Sequence, residues 1–195
     1  MSTAPLPTHS LPSNLPIPID DGACAHLIGS ILPSICLPST APSDSVDLSS
    51  LPGLTIVFMY PRTGAPNESI PETWDVIPGA RGCTPQACSF RDLSSELGAL
   101  GVTQIYGLST QDTEYQTEVK ERLHLPFELL SDERLEWVQA LGLPAFQWEG
   151  RRLVKRCAIA IEGGKVVKSW YPIFPPDRSA QEVVEWLKKE RQHPV

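Results

Sequence analysis

The sequence predicts one α/β domain, a sheet flanked by helices, and three features carry that expectation. From Leu54 onward, strand-like and helix-like segments alternate, which is the pattern of a sheet covered by helices rather than of separate helical and all-strand parts. A chain of 195 residues with 41% hydrophobic side chains is long enough for one real core and too short for a second large domain. Fourteen of the 20 prolines lie in residues 1–85, nine of them before Gly53. Proline is excluded from helix interiors and central strands, so the first fifty residues are expected to run mostly extended, outside the alternating body.

Taken in order, Met1 to Asn14 reads as a loosely held tail, and Asp20 to Ile28, with Asp at a cap position and a short apolar stripe, reads as one short helix. Ile31 to Leu37 and Val46 to Leu48, separated by a Pro/Ser/Asp turn, read as a hairpin laid on the main body. Leu54 to Tyr60 is a continuous apolar run of strand length. Thr84 to Leu100 is helical, Thr103 to Ser109 a second buried strand, Glu114 to Leu123 a helix, Phe127 to Leu130 a short strand and Asp132 to Leu141 a helix. Val154 to Ile161 and Gly163 to Trp170 form a hairpin turning at Gly163-Gly164. Ala180 to Arg191 closes the chain as an amphipathic helix, with Val183, Val184 and Leu187 on one face and basic residues near its end, where positive charge suits the helix dipole. The expected division is a proline-rich extension over residues 1–28 and a domain over 29–195. Within that domain, residues 62–80 break the regularity with three prolines and little periodicity. Loops of that length are uncommon unless functional.

Composition excludes several classes of function. A net charge of −7 and a pI near 5.1 leave no electrostatic footprint for nucleic acid or anionic lipid. No apolar run approaches the ~20 residues that span a bilayer. The first basic residue is Arg62, so the N-terminus has neither the positive region of a secretory signal nor an Arg-rich transit peptide, and the cytoplasm is the expected location. Five cysteines, Cys24, Cys36, Cys83, Cys88 and Cys157, are too few and too oddly counted for a disulfide-built scaffold. Their chemistry is expected to be reactive rather than structural.

The informative stretch is Gly82-Cys-Thr-Pro-Gln-Ala-Cys-Ser-Phe-Arg-Asp92. Thr84 and Pro85 look like the start of a helix, which puts Cys83 at its mouth, where free backbone N–H groups and the dipole stabilise a thiolate. Arg81 and Arg91 are candidate electropositive neighbours, and the thiolate is the nucleophilic form. Cys88 lies five residues on. In a helix five steps turn about 500° and rise about 7.5 Å, whereas a disulfide needs Cα atoms within about 7 Å. The spacing suits a cycle in which Cys83 reacts in a folded pocket and Cys88 captures the product after residues 84–88 unwind. Zinc is the competing use of Cys-x4-Cys, but His26, His124, His193 and Cys157 form no second compact ligand pair.

This stretch resembles the Gly-Cys-Thr-x-Glu/Gln-Ala-Cys-x-Phe/Leu-Arg-Asp signature of peroxiredoxins of the PrxQ, or bacterioferritin comigratory protein, type. Other segments agree with the family: Phe58-Met-Tyr-Pro61 before the active loop, Gly107-Leu-Ser109 at a strand end, Leu129-Leu-Ser-Asp132, and Lys155-Arg-Cys-Ala-Ile-Ala-Ile161, which resembles the strand opening on the family's essential arginine. The resemblance spans roughly residues 30–190. It implies a thioredoxin fold, with a central mixed sheet flanked by helices and here an N-terminal β-hairpin extension. It further implies that Cys83 is the peroxidatic cysteine, Cys88 the resolving cysteine, and Arg156 the guanidinium that holds both thiolate and peroxide. Pro61 would shield the pocket, and Pro61, Thr63, Gly82 and Gln86 are the expected substrate-binding residues, with Gln86 either orienting the loop or lying solvated on the helix; no metal or organic cofactor would be needed. The implied partners are a peroxide and thioredoxin or a similar dithiol reductant, with the chain acting as a monomer or homodimer.

One departure stands out. The family spaces its residues Pro-x-x-x-Thr-x-x-Cys, but here Pro61 and Cys83 are 22 positions apart and Ala80 occupies the threonine position. Thr63 replaces that hydroxyl if the insertion loops out and returns; otherwise the backbone supplies the contact. Two rival readings follow: a redox sensor that forms the Cys83–Cys88 disulfide without turnover, and a general disulfide oxidoreductase, which usually carries the Cys-x-x-Cys absent here. Trp74, inside the insertion, is a candidate for the pocket rim. Cys157, next to Arg156 on the same strand, should face the opposite side of the sheet.

Overall fold

A computed structural model describes residues 11–12, 14–41, 45–66 and 68–192. Most of the tail expected over Met1–Asn14, the hairpin turn at 42–44 and the side chain of Arg191 lie outside the described residues. Strands β1 (Cys36–Pro38) and β2 (Ser45–Asp47) pair antiparallel, so the hairpin forms, with Ile31 contributing only an isolated bridge to Lys165. The helix expected over Asp20–Ile28 does not form. That segment is a run of turns in which Asp20 and Asp21 accept from the amides two residues on, and Gly22 and Gly29 adopt φ of 73° and 84°. Asp bonded to nearby amides competes with helix.

The body follows as β3 (Leu54–Met59), α1 (Glu72–Asp75), α2 (Cys83–Ala99), β4 (Val102–Ser109), α3 (Thr113–Leu123), β5 (Glu128–Ser131) and α4 (Glu136–Ala140). The chain continues through β6 (Ala145–Trp148), β7 (Arg151–Val154), β8 (Cys157–Glu162), β9 (Lys165–Trp170) and α5 (Ser179–Gln192). A five-stranded mixed sheet has the order β5-β4-β3-β8-β9, parallel across β5, β4 and β3 and antiparallel across β3, β8 and β9.

Side-chain alternation along the central strands feeds two cores. Ile56, Phe58 and Tyr60 with Ala158 and Ala160 pack under α2, α3 and α5, where Phe58 stacks on Phe90 at 4.4 Å. Val57, Met59, Cys157 and Ile159 face α4 and the N-terminal segment. Gly107 in β4 permits this packing, because a Cβ there would lie 2.6 Å from Leu129 and 2.8 Å from Phe58.

Two elements differ from the sequence expectation. The apolar run from Val154 is split, since β7 ends at Val154 and pairs with β6, leaving Lys155 and Arg156 between strands. Its turn uses Glu149 and Gly150 at φ of 47° and 74°, a left-handed pair that suits a tight hairpin. Helix α4 is shorter than expected at its start, because the Asp132 carboxylate takes the amides of Trp137 and Val138 while Leu135 passes through φ 59°.

Candidate active site

Helix α2 begins at Cys83, and Gly82 before it holds φ 102°. A Cβ at that position would lie 2.3 Å from Pro176 Cγ, so glycine is required both by backbone conformation and by space. Gly82→Ala is expected to lower stability by about 2–3 kcal/mol, read as a fall of roughly 5–10 °C in thermal midpoint, together with loss of Cys83 reactivity. An unchanged midpoint would show that the cap tolerates a side chain.

Cys83 is only 4% exposed and Arg156 only 3%. Arg156 Nη2 donates to Cys83 Sγ at 3.2 Å, to Ala80 O at 3.0 Å and to Arg81 O at 3.2 Å, while Nε donates to Gly79 O at 3.1 Å. Nη1 donates to Gln86 Oε1, and Gln86 Nε2 in turn donates to Ser179 Oγ at 3.3 Å. The guanidinium is therefore fixed by α2, the loop 79–81 and the start of α5, with its edge against the sulfur. A buried charge held in this way has each of its three nitrogens directed at an acceptor. Gln86 is fully buried and does not line the cavity in front of Cys83; its place is behind Arg156.

That cavity has a volume of about 470 Å³, and Cys83, Gly82, Thr84 and Thr63 line it. Pro61 is buried at the end of β3 and is absent from the lining. Thr63 is buried, and its amide and hydroxyl both donate to Gln111 Oε1, at 2.9 and 3.1 Å. Gln111 Nε2 and the Tyr115 hydroxyl donate back to Thr63 O at 3.1 and 3.0 Å. The insertion thus does return to the pocket and brings Thr63 into the same cavity as Cys83. Ala80 is buried and offers only its carbonyl, to Arg156 and, at 3.6 Å, to the Cys83 thiol.

The rest of the insertion builds the cavity wall. Trp74 on α1 is buried, packs edge-on to Trp148 at 4.8 Å and shares a cluster with Leu153 and Phe146, so the insertion is docked on the β6–β7 hairpin. Arg62 lies over the Trp148 ring at 5.1 Å and pairs with Glu68 at 2.8 Å; Arg81 pairs with Asp75 at 2.8 Å; Arg122 pairs with Glu118 and donates to Gly64 O at 3.0 Å. The Ala65 amide, at 2.7 Å, holds the Glu68 carboxyl below its usual range, and Arg62 adds to this against the opposing effect of burial. Arg62, Gln111 and Ser179 carried no signal in the sequence, because their partners come from distant segments.

Cys88 is half-buried one and a half turns along an unbroken α2, and both thiols are free. Burial pushes the Cys88 thiol up, opposed by the charge of Arg91. Arg91 therefore belongs to the surroundings of Cys88, with its Nη1 donating to Leu123 O at 2.9 Å. Alkylation of Cys88 in the folded chain is expected to keep accelerating with pH beyond the ordinary thiol midpoint of about 8.5. A rate that levels off below that pH would contradict the burial. Cys157 faces the opposite side of the sheet from Arg156, as expected, although Arg156 itself precedes the strand. Among the described residues, no group of three or more His, Cys, Asp or Glu side chains is gathered to hold a metal ion, and no helix is long and apolar enough to cross a membrane.

Comparison with known proteins agrees with this geometry. A family model described as Redoxin matches residues 27–184. Peroxiredoxin Bcp of Escherichia coli strain K12 is 27% identical over 165 residues, covering 83% of this chain and 95% of its own. Peroxiredoxin Q, chloroplastic, of Oryza sativa subsp. japonica is 30% identical over 147 residues, covering 71% and 58%. The crystal structure of Peroxidoxin BcpB from Mycobacterium tuberculosis superposes with a TM-score of 0.67 at 25% identity, covering 83% of this chain and 96% of that one. With the mixed sheet of a thioredoxin fold and a thiol at the head of α2 set against a buried arginine, the chain belongs to the Redoxin family, as a peroxiredoxin of the PrxQ/Bcp type.

Proposed function

We propose that this thiol-dependent peroxidase reduces hydrogen peroxide and organic hydroperoxides at Cys83, with Cys88 resolving the product and thioredoxin or a similar dithiol protein recycling the enzyme. The observation that carries this reading is the buried Arg156 fork, 3.2 Å from Cys83 Sγ, at the N-terminus of α2. The Cys83 thiolate attacks the terminal oxygen of the hydroperoxide. The O–O bond breaks, sulfur takes that oxygen as a sulfenic acid, and the leaving oxygen picks up a proton to depart as water or alcohol. Arg156 spreads positive charge over both the thiolate and the oxygen on which negative charge develops. Thr63 supports the hydroxyl role that Ala80 cannot fill: with its proton on Gln111 Oε1, the hydroxyl keeps lone pairs free to accept from the peroxide O–H. Pro61 serves by packing under this loop.

In the second half-cycle Cys88 displaces the sulfenic oxygen as water and forms a disulfide with Cys83, after the first turns of α2 unwind. The dithiol reductant then exchanges with that disulfide. All of this uses only the chain's own thiols and the reductant, in a reducing cytoplasm, within a domain of residues 29–195 that follows the 1–28 extension. The test is Cys88→Ser. The variant is expected to consume about one equivalent of hydroperoxide at the wild-type rate, leave Cys83 as a sulfenic acid trapped by a dione reagent, and lose steady-state turnover with thioredoxin. Unimpaired thioredoxin-driven turnover would remove Cys88 from the cycle.

A further inference from the structure

A second pair of thiols lies away from Cys83. Cys24 sits in the turns at residues 23–26 and is 4% exposed, and Cys157 opens β8 and is fully enclosed. Both belong to the core on the face of the sheet opposite Arg156, beside Leu27 and Ile159. An ion pair independently holds their two segments together. Lys155 Nζ meets Asp21 Oδ2 at 3.0 Å, three residues before Cys24 and two before Cys157. At the thiols themselves, a side-chain hydrogen bond to Cys24, reinforced by burial, pushes the Cys157 thiol up.

The segment that Cys24 anchors runs along the loop that leads into Cys83. Leu11 lines the Cys83 cavity, Leu15 and Pro16 share a recess with Asp75 and Val76, and Pro18 lies 3.5 Å from the Cβ position of Gly79. Gly79 in turn carries the carbonyl that holds Arg156 Nε. A bond at residue 24 therefore tethers, six residues past Pro18, the arm that backs residues 75–82.

We propose that Cys24 and Cys157 form a second redox-active pair, whose disulfide pins the base of the N-terminal arm to β8 and restrains the loop before Cys83. Hydroperoxide is the oxidant. One sulfur takes its terminal oxygen as a sulfenic acid, releasing water or alcohol; the other thiol then displaces that oxygen as water. Two thiols lose two hydrogens in all, one O–O bond is reduced, and a dithiol reverses the bond. Both thiols are enclosed, so this oxidation is slower than that at Cys83 and belongs to conditions of excess peroxide. The restraint on Cys83 rests on the cycle proposed above; formation of the bond does not.

The test uses the full-length chain carrying Cys36→Ser, fully reduced, then treated with a large molar excess of tert-butyl hydroperoxide, alkylated, and digested with trypsin without reduction. No Lys or Arg precedes Arg62, so Cys24 is then the only cysteine in peptide 1–62, and Cys157 leaves in peptide 157–165. A cross-link between these two peptides is expected, absent after one equivalent, absent in the same chain with Cys24→Ser, and reversed by dithiothreitol. The cross-linked protein should melt several degrees higher and, once thioredoxin has re-reduced the more accessible Cys83–Cys88 bond, form that bond again more slowly when rechallenged. Free Cys24 and Cys157 after the excess would overturn the pair, whether or not Cys83 has reacted. An unchanged rate on rechallenge would overturn the restraint. A Cys24–Cys157 bond formed while Cys83 stays untouched would instead sink the peroxidase reading and leave the pair standing.

Discussion

Replacing Cys83 with serine is expected to abolish hydroperoxide turnover, a loss on the order of 10⁴-fold or more. A serine hydroxyl stays protonated at neutral pH, and oxygen does not form the sulfenic acid through which the cycle passes. No other thiol reacts at a comparable rate. Cys88 is half-buried with its thiol pushed up, and Cys157 faces the far side of the sheet. The fold should survive, since a serine oxygen can still accept from Arg156 Nη2 and its carbonyl partner at Ala80 is unchanged. The check is peroxide consumption by purified Cys83→Ser with thioredoxin present, alongside thermal unfolding. Retained cycling would contradict the assignment of the nucleophile.

Arg156→Lys is expected to cost about 10²- to 10³-fold in kcat/KM for hydroperoxide, the magnitude typical of removing one preorganised donor at a reacting oxygen. Lysine keeps the positive charge but not the planar fork. The fork bonds Gly79 O, Ala80 O, Arg81 O and Gln86 Oε1 as well as Cys83 Sγ. One ammonium with three protons leaves some of these acceptors unpaired, and each buried orphan costs about 1–3 kcal/mol. Arg156→Met removes the charge too and should be slower still. If Lys restores full activity, charge alone accounts for the site and the fixed geometry does not matter. Gln86→Ala offers a smaller version of the same test, because it frees Nη1 without touching the sulfur or the cavity.

The parts of the fold legible in the sequence were those written in local pattern. The apolar run at Leu54, the helix opening on Cys83, and the strands at Thr103 and Lys165 each carry their own periodicity and boundary residues. Positions decided by distant partners were not legible. Asp20 and Asp21 look like a helix cap, but their carboxylates turn back on Gly22 and Ala23. Arg156 looks like part of a strand that starts at Val154, yet the pairing of Val154 with Ala145 sets it between two strands, free to reach α2. At the site, the Gly82–Asp92 motif located Cys83, Cys88 and Gln86. It did not show that Gln86 sits behind the arginine, because Ser179 lies 93 residues away. The insertion of residues 62–80 had no readable structure, since its order comes from Trp74 meeting Trp148 and Arg62 lying over the same ring, contacts that exist only once β6 and β7 are paired.

The most direct test of the central claim is intact mass with non-reducing peptide mapping of the fully reduced chain, sampled within seconds of adding one equivalent of hydrogen peroxide. The expected result is a loss of two hydrogens, with Cys83 joined to Cys88 and Cys24, Cys36 and Cys157 still free. Persistence of both Cys83 and Cys88 as free thiols would contradict the account: the arginine-held sulfur at the head of α2 would then not be a peroxide-reducing centre.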